Sequence, residues 1–261
     1  MSAPAPRAVC RSLALFQRRR RNWIGYSALV ALSSLGCGAS SGELYERGMA
    51  SYKQKQPDAA AKDLAAFTEK GCGPAGGGPH CRKAYLALGA IYEGRQAPGR
   101  AWAAYESALA FPPHDDDMDV QAGIDRTRQS LADGQQKASA RAPVIVRYRD
   151  EVTDEYNPRS VTISLDQETI LNRDKDASEF HTPEFHRVYG GSVPVGEHVV
   201  TVEMVHDCKA GGGVRCARSH VRKSWPFDSV ARTPATIEIR AYAESGEGDA
   251  PSRPTLELVA R

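Results

Sequence analysis

The sequence lacks a hydrophobic run long enough to cross a membrane comfortably. Its longest mostly apolar stretch, Trp23 to Gly36, is about fourteen residues, short of the ~20 a spanning helix needs. Aromatic residues make up only 7% of the chain and are not interleaved with blocks of Lys and Arg, which argues against a nucleic-acid surface. Acidic residues are missing from positions 1–36, which hold six Arg. Beyond them 28 basic and 32 acidic side chains remain, a net charge of about −4, so the basic excess belongs to the start of the chain alone. No nucleophile elbow, phosphate loop or zincin motif is present, and the seven histidines are scattered. The expectation is a protein without catalytic residues, cofactor or metal.

What is there begins with an address. Arg18 to Arg21 precede the short apolar stretch, and Cys37 follows it, so residues 1–36 read as a signal peptide. The sequence Ser34-Leu35-Gly36-Cys37 resembles a bacterial lipobox. That resemblance implies lipidation at Cys37 and a lipid-anchored, periplasm-facing place in the cell envelope. Gly38 stands where an Asp retains such proteins at the inner membrane, which favours the outer membrane slightly. A plain secretory signal with a structural Cys37, or an uncleaved anchor, are the alternatives. Past Cys37 the cysteines form two close pairs, Cys72 with Cys81 and Cys208 with Cys216. Short, even spacing in an exported chain predicts two local disulfides. His206 and His220 beside the second pair admit a zinc reading, but the spacing is not a standard ligand set.

Residues 42–133 carry a helical period. Tyr85, Leu88, Gly89 and Tyr92 share one face, and Ala101, Tyr105 and Ala108 mark a second helix that ends before Pro113. Leu44, Gly48, Tyr52, Ala60, Leu64 and Phe67 repeat the scheme 41 residues earlier. Gly48 then corresponds to Gly89, Ala60 to Ala101 and Leu64 to Tyr105. The chain here resembles the tetratricopeptide repeat, whose period is about 34 residues. The excess is accounted for by the Gly- and Pro-rich insertion Gly71 to Cys81, which cannot be helical. A further helix over 117–133, with Val120, Ile124 and Leu131 on one face, reads as a cap on the array. Arrays of this family bind peptides or proteins on the side lined by the first helix of each pair. The resemblance therefore implies a protein or peptide partner at Tyr45, Met49, Tyr52 and Lys53 on one helix, and at Leu86, Ala90 and Glu93 on the next.

Residues 134–142 are polar and small and predict a linker. Beyond it, over 143–261, the period becomes two. Val144, Val146 and Tyr148 alternate with more polar neighbours. So do Val161, Ile163 and Leu165, then Val200, Val202 and Met204, then Ile237, Ile239 and Ala241, and last Leu256 and Leu258. Seven or eight short strands predict an antiparallel β-sandwich, and the fold class is a multidomain α plus β chain. Ser192 to Val202 is similar to the core of PEGA-type, carbohydrate-binding-like modules of bacterial surface proteins. His198 reads as a strand-end turn residue. Together these features predict a non-catalytic lipoprotein that acts as an interaction adaptor or scaffold through its helices. The alternative is a cell-wall or polysaccharide binder acting through the sandwich.

Overall fold

Ser40 starts the described chain by closing a helix end. Its hydroxyl accepts from the Glu43 amide at 3.3 Å, and the Glu43 carboxylate accepts from the Ser40 amide at 2.8 Å, a reciprocal cap worth about 1 kcal/mol. Helix α1, Ser41–Lys53, follows. The computed structural model describes residues 39–72, 78–111, 117–152, 156–174, 177–209, 218–244 and 253–260. Cys37 and Cys216 lie outside them, as does the whole leader. Helices α2, Pro57–Gly71, and α4, Pro98–Leu109, each open on a proline, whose missing N–H would have been unpaired there anyway. Between them runs α3, Gly78–Gly94. None of the described helices is long and apolar enough to cross a membrane.

Two helix pairs, α1–α2 and α3–α4, are built alike. In the first turn Gln54, Lys55 and Gln56 donate to the carbonyls of Ala50, Tyr52 and Ser51. In the second, Arg95, Gln96 and Ala97 donate to those of Ile91, Glu93 and Tyr92, the same pattern 41 residues on. Lys55 and Gln96 both sit in the left-handed region, at φ 57° and 56°. The close contacts match too. A Cβ on Gly48 would lie 2.8 Å from the Leu64 side chain, and one on Gly89 would lie 2.5 Å from the Tyr105 ring. Each glycine is thus the floor on which the partner helix rests its bulky residue, as the sequence correspondence anticipates.

The pairs stack through α2 and α3 around Leu44, Ala60, Leu64, Ala84, Leu88 and Ile91, all buried. Arg47 ties α1 to α2 through both oxygens of Asp63, at 2.5 and 2.6 Å. Helix α3 begins at Gly78, inside the segment expected to be non-helical, because Cys81 is pinned to Cys72 and sits fully buried in this core. A bridge closing so short a loop contributes about 2–3 kcal/mol, mostly by limiting the unfolded chain. Cys208 is also disulfide-bonded.

Helix α5, Asp117–Lys137, packs on α4 with Val120, Ile124 and Leu131 buried, as the apolar stripe predicts. It runs further than expected. The polar stretch 134–142 is divided between the end of α5, a three-residue connection and the start of β1, Arg141–Glu151. Gln135 is the reason: its side-chain amide donates to Asp166 at 2.9 Å and reaches the His198 ring at 3.1 Å, so tertiary contacts hold the last helical turn.

The remaining strands are β2, Tyr156–Leu165; β3, Glu168–Arg173; β4, His186–Pro194; β5, Gly196–Cys208; β6, Ser219–Ser229; β7, Ala235–Glu244; and β8, Arg253–Ala260. They form two four-stranded sheets, ordered β4-β1-β7-β8 and β3-β2-β5-β6. Pairing is antiparallel throughout except between β1 and β7, which run parallel. The alternating residues read from sequence face one shared core: Val144, Val146, Ile237 and Ile239 from one sheet meet Ile163, Val200, Val202 and Met204 from the other. A 3₁₀ turn, Ser178–Phe180, places Phe180 against Tyr148 at one end. The chain is thus mixed α and β, with helices first and two antiparallel-rich sheets after. Residues Ala39–Arg261 belong to one compact unit.

Candidate functional site

Three places gather functional groups: a groove between the helix pairs, the seam between helices and sheet, and a buried Asp–His pair between the sheets.

The groove forms where two small residues leave space. Helix α3 presents Ala90 and Gly94, four apart and both exposed, towards the end of α1. A Cβ on Gly94 would meet nothing within 4 Å. The resulting concavity has a volume of about 490 Å3, within the range of small-ligand and side-chain pockets. Tyr52, Lys53, Lys55, Pro57 and Arg95 surround it, with Ile91 at its floor. Tyr52 is 38% exposed, one of few large apolar side chains left at the surface among the described residues.

Of the seven residues expected to face a partner, Tyr52, Lys53 and Ala90 come together here. The other four are placed elsewhere. Tyr45 is buried between the rings of Phe67 and His80, at 5.2 and 4.5 Å. Met49 packs on the same core, and Leu86 on the neighbouring cluster around Trp102. Glu93 accepts from the Tyr105 hydroxyl at 2.9 Å and from Arg126 at 2.8 Å. The Arg126 hydrogen bond holds its carboxyl below the usual range, against burial. Lys55, Pro57, Gly94 and Arg95 were not foreseen as lining residues. They lie in and beside the turns, which a sequence reading treats only as breaks; the matched position of the two turns was the available signal.

The seam is centred on Glu106 of α4, almost fully buried. Its carboxylate accepts from the Trp102 indole at 3.1 Å, from Arg128 of α5 at 2.9 Å and from Arg222 of β6 at 3.0 and 3.1 Å. Arg128 also lies over the Trp102 ring, 4.8 Å from its centroid. Nearby, α4 has no side-chain cap of its own, and Glu197 of β5 supplies one by accepting from the Gly99 amide at 2.9 Å. Burial raises the Glu197 carboxyl above its ordinary range, with Asp228 adding to the effect, while Gly99 and Arg100 oppose it. The cleft beside it, about 340 Å3, is lined by Arg100, Glu197, Phe227, Asp228 and Val230 among others.

His198 is no turn residue. It is fully buried, stacked on Phe227 at 5.2 Å, with Nε2 donating to the Pro194 carbonyl at 2.7 Å and Nδ1 2.8 Å from Asp166. Burial pulls its pKa down, but the Asp166 hydrogen bond and charge, with the Pro194 carbonyl, more than offset that and leave it raised above 6.5. A raised histidine pKa stabilises the fold fully below the unfolded value, and that stabilisation is lost as pH rises through the folded value. The urea midpoint of the chain is therefore expected to fall as pH climbs from about 6.5 upwards, and His198→Gln is expected to flatten this fall. An unchanged slope in the variant would show that His198 does not control it.

Between the sheets, the carboxylate of Asp150 on β1 lies 2.7 Å from Nε2 of His206 on β5 and accepts from the Val152 amide at 3.0 Å. Both side chains are 2% exposed or less. His220, weighed above as a ligand, instead meets Glu203 at the surface, 2.8 Å away. Among the described residues no group of three or more His, Cys, Asp or Glu is arranged to hold a metal ion.

Comparison with protein-family models, curated proteins and solved structures returned no match.

Proposed function

We propose that this chain is a non-catalytic docking protein of the bacterial cell envelope, in which two tetratricopeptide-like helix pairs present a partner-binding groove and a PEGA-like β-sandwich serves as the rigid base. The observation that carries this reading is the repetition at 41 residues of the turn hydrogen bonds, the left-handed residue and the glycine contact, with an open groove beside the first turn. Repetition of that kind is how repeat arrays place equivalent surfaces side by side for a partner. An open, partly apolar concavity with exposed Tyr52 suits a side chain from a bound segment better than a reacting substrate. The Asp150–His206 pair is buried and Glu197 is engaged as a helix cap in the seam, which favours a structural role for both. The envelope location rests on the leader and on Cys37; the Cys72–Cys81 bridge suits the same oxidising compartment.

The test uses the open space beside Gly94, where an added Cβ meets nothing within 4 Å. A photo-crosslinking residue at Tyr52, in the full chain in native membranes, is expected to yield a discrete adduct. Gly94→Leu, which fills open space, should abolish that adduct without lowering Tm. An adduct that persists in Gly94→Leu, or none with Tyr52 replaced, would remove the groove as the docking site. Cys37→Ala should release the chain from the membrane fraction; retention would remove the lipid anchor.

A further inference from the structure

The lining of the groove says more about its occupant than its shape does. Three cationic residues, Lys53, Lys55 and Arg95, surround it, and no acidic residue lines it. Lys53 and Lys55 have no ionic partner among the described residues. Arg95 pairs with Asp58, which is 97% exposed and holds the guanidinium at the groove's edge. The nearest acid of α3, Glu93, is already taken by Tyr105 and Arg126. This local excess of positive charge stands out because the chain beyond residue 36 is negative overall, about −4. Between the cations the surface is apolar: Tyr52, Pro57, Ala90 and Ile91.

Lys55 adds a second point. It occupies the left-handed region at φ 57°, where glycine or asparagine would sit without the cost a long side chain incurs. Its side chain lines the groove and adds a cation there, whereas the matched left-handed position of the second turn holds the uncharged Gln96.

We infer that the groove selects an extended acidic peptide segment, its carboxylates meeting Lys53, Lys55 and Arg95 and one apolar side chain entering between Tyr52 and Ala90. This rests on the docking reading above and narrows it to one chemistry. Attraction between exposed charges acts over roughly 10 Å at moderate salt, so recognition of this kind is salt-sensitive and shows in the approach of the peptide as much as in its hold.

The experiment measures fluorescence anisotropy of three labelled peptides with the full chain: one with a central leucine flanked by glutamates, and the same peptide with glutamine or with lysine in place of glutamate. The glutamate peptide is expected to bind about tenfold more tightly than the glutamine peptide at low salt, with the gap closing towards 0.5 M or so. Lys55→Gly relieves the backbone and removes the charge. It should weaken the glutamate peptide severalfold, leave the glutamine peptide unchanged and not lower Tm. Equal binding of the glutamate and glutamine peptides, both lost in Gly94→Leu, would overturn the acidic preference while the docking reading stands. Binding of none, or binding only to vesicles rich in anionic phospholipid, would also overturn it, and the crosslink at Tyr52 then judges the docking reading by itself.

Discussion

Glu106→Ala is expected to lower the unfolding free energy by about 3 kcal/mol, measured by urea denaturation against the parent chain. The carboxylate bridges Arg128 and Arg222 and accepts from the Trp102 indole as well, while Arg222 also reaches Glu203 at 3.1 Å. Removing it leaves Arg128 without its carboxylate, Arg222 with Glu203 alone, and an indole N–H without its acceptor. Breaking a buried pair typically costs about 3–5 kcal/mol. The lower end applies here because Arg222 is 42% exposed and water can screen it. Glu106→Gln keeps the indole acceptor and should cost less. The unfolding transition should stay single, because the seam fuses helices and sheets into one unit. A loss below about 1 kcal/mol, the worth of an exposed pair, would show that the seam is held by packing of Trp102 alone.

Gly89→Ala is the second, and its sign is the point. Helix propensity alone predicts a gain of about 0.5–1 kcal/mol, since glycine is costly inside a helix. The contact predicts the opposite. The new methyl would lie 2.5 Å from the Tyr105 ring. That ring cannot retreat, because a Cβ on Gly123 of α5 would already come within 3.0 Å of its other edge, and its hydroxyl is held by Glu93. Overpacking of this kind costs about 1–3 kcal/mol, so a net loss of stability is expected. Gly134→Ala, where a Cβ meets nothing within 4 Å, should instead stabilise by about 0.5–1 kcal/mol. If both alanines stabilise, Tyr105 is not wedged and the close approach of α3 and α4 is not what fixes the pair. Tyr105→Ala in the Gly89→Ala background should recover the clash component, which a double-mutant cycle isolates.

How far the groove was legible follows from the same contrast. Tyr45 and Tyr52 lie on one face of α1, seven residues apart, and sequence period treats them alike. The structure buries Tyr45 against Phe67 and leaves Tyr52 beside an opening, because only at the end of α1 does α3 offer Ala90 and Gly94 instead of a large side chain. Leu86 and Glu93 are likewise correct for the helix and absent from the groove, since α4 and α5 claim their side chains.

Residue type and spacing along the chain set the local choices: the Ser40 cap, the proline starts, the glycines that admit Leu64 and Tyr105, the Cys72–Cys81 bridge and the alternation that turns one face of each strand inward. These depend on neighbours within a turn, a hairpin or a strand, where period and residue type suffice. Long-range packing set the parallel pairing of β1 with β7, the continuation of α5 through Gln135, the burial of His198, and the joining of Glu106 to an arginine 116 residues away. Those partners are brought together by where the sheet comes to rest on α4 and α5, and no periodicity along the chain encodes that distance.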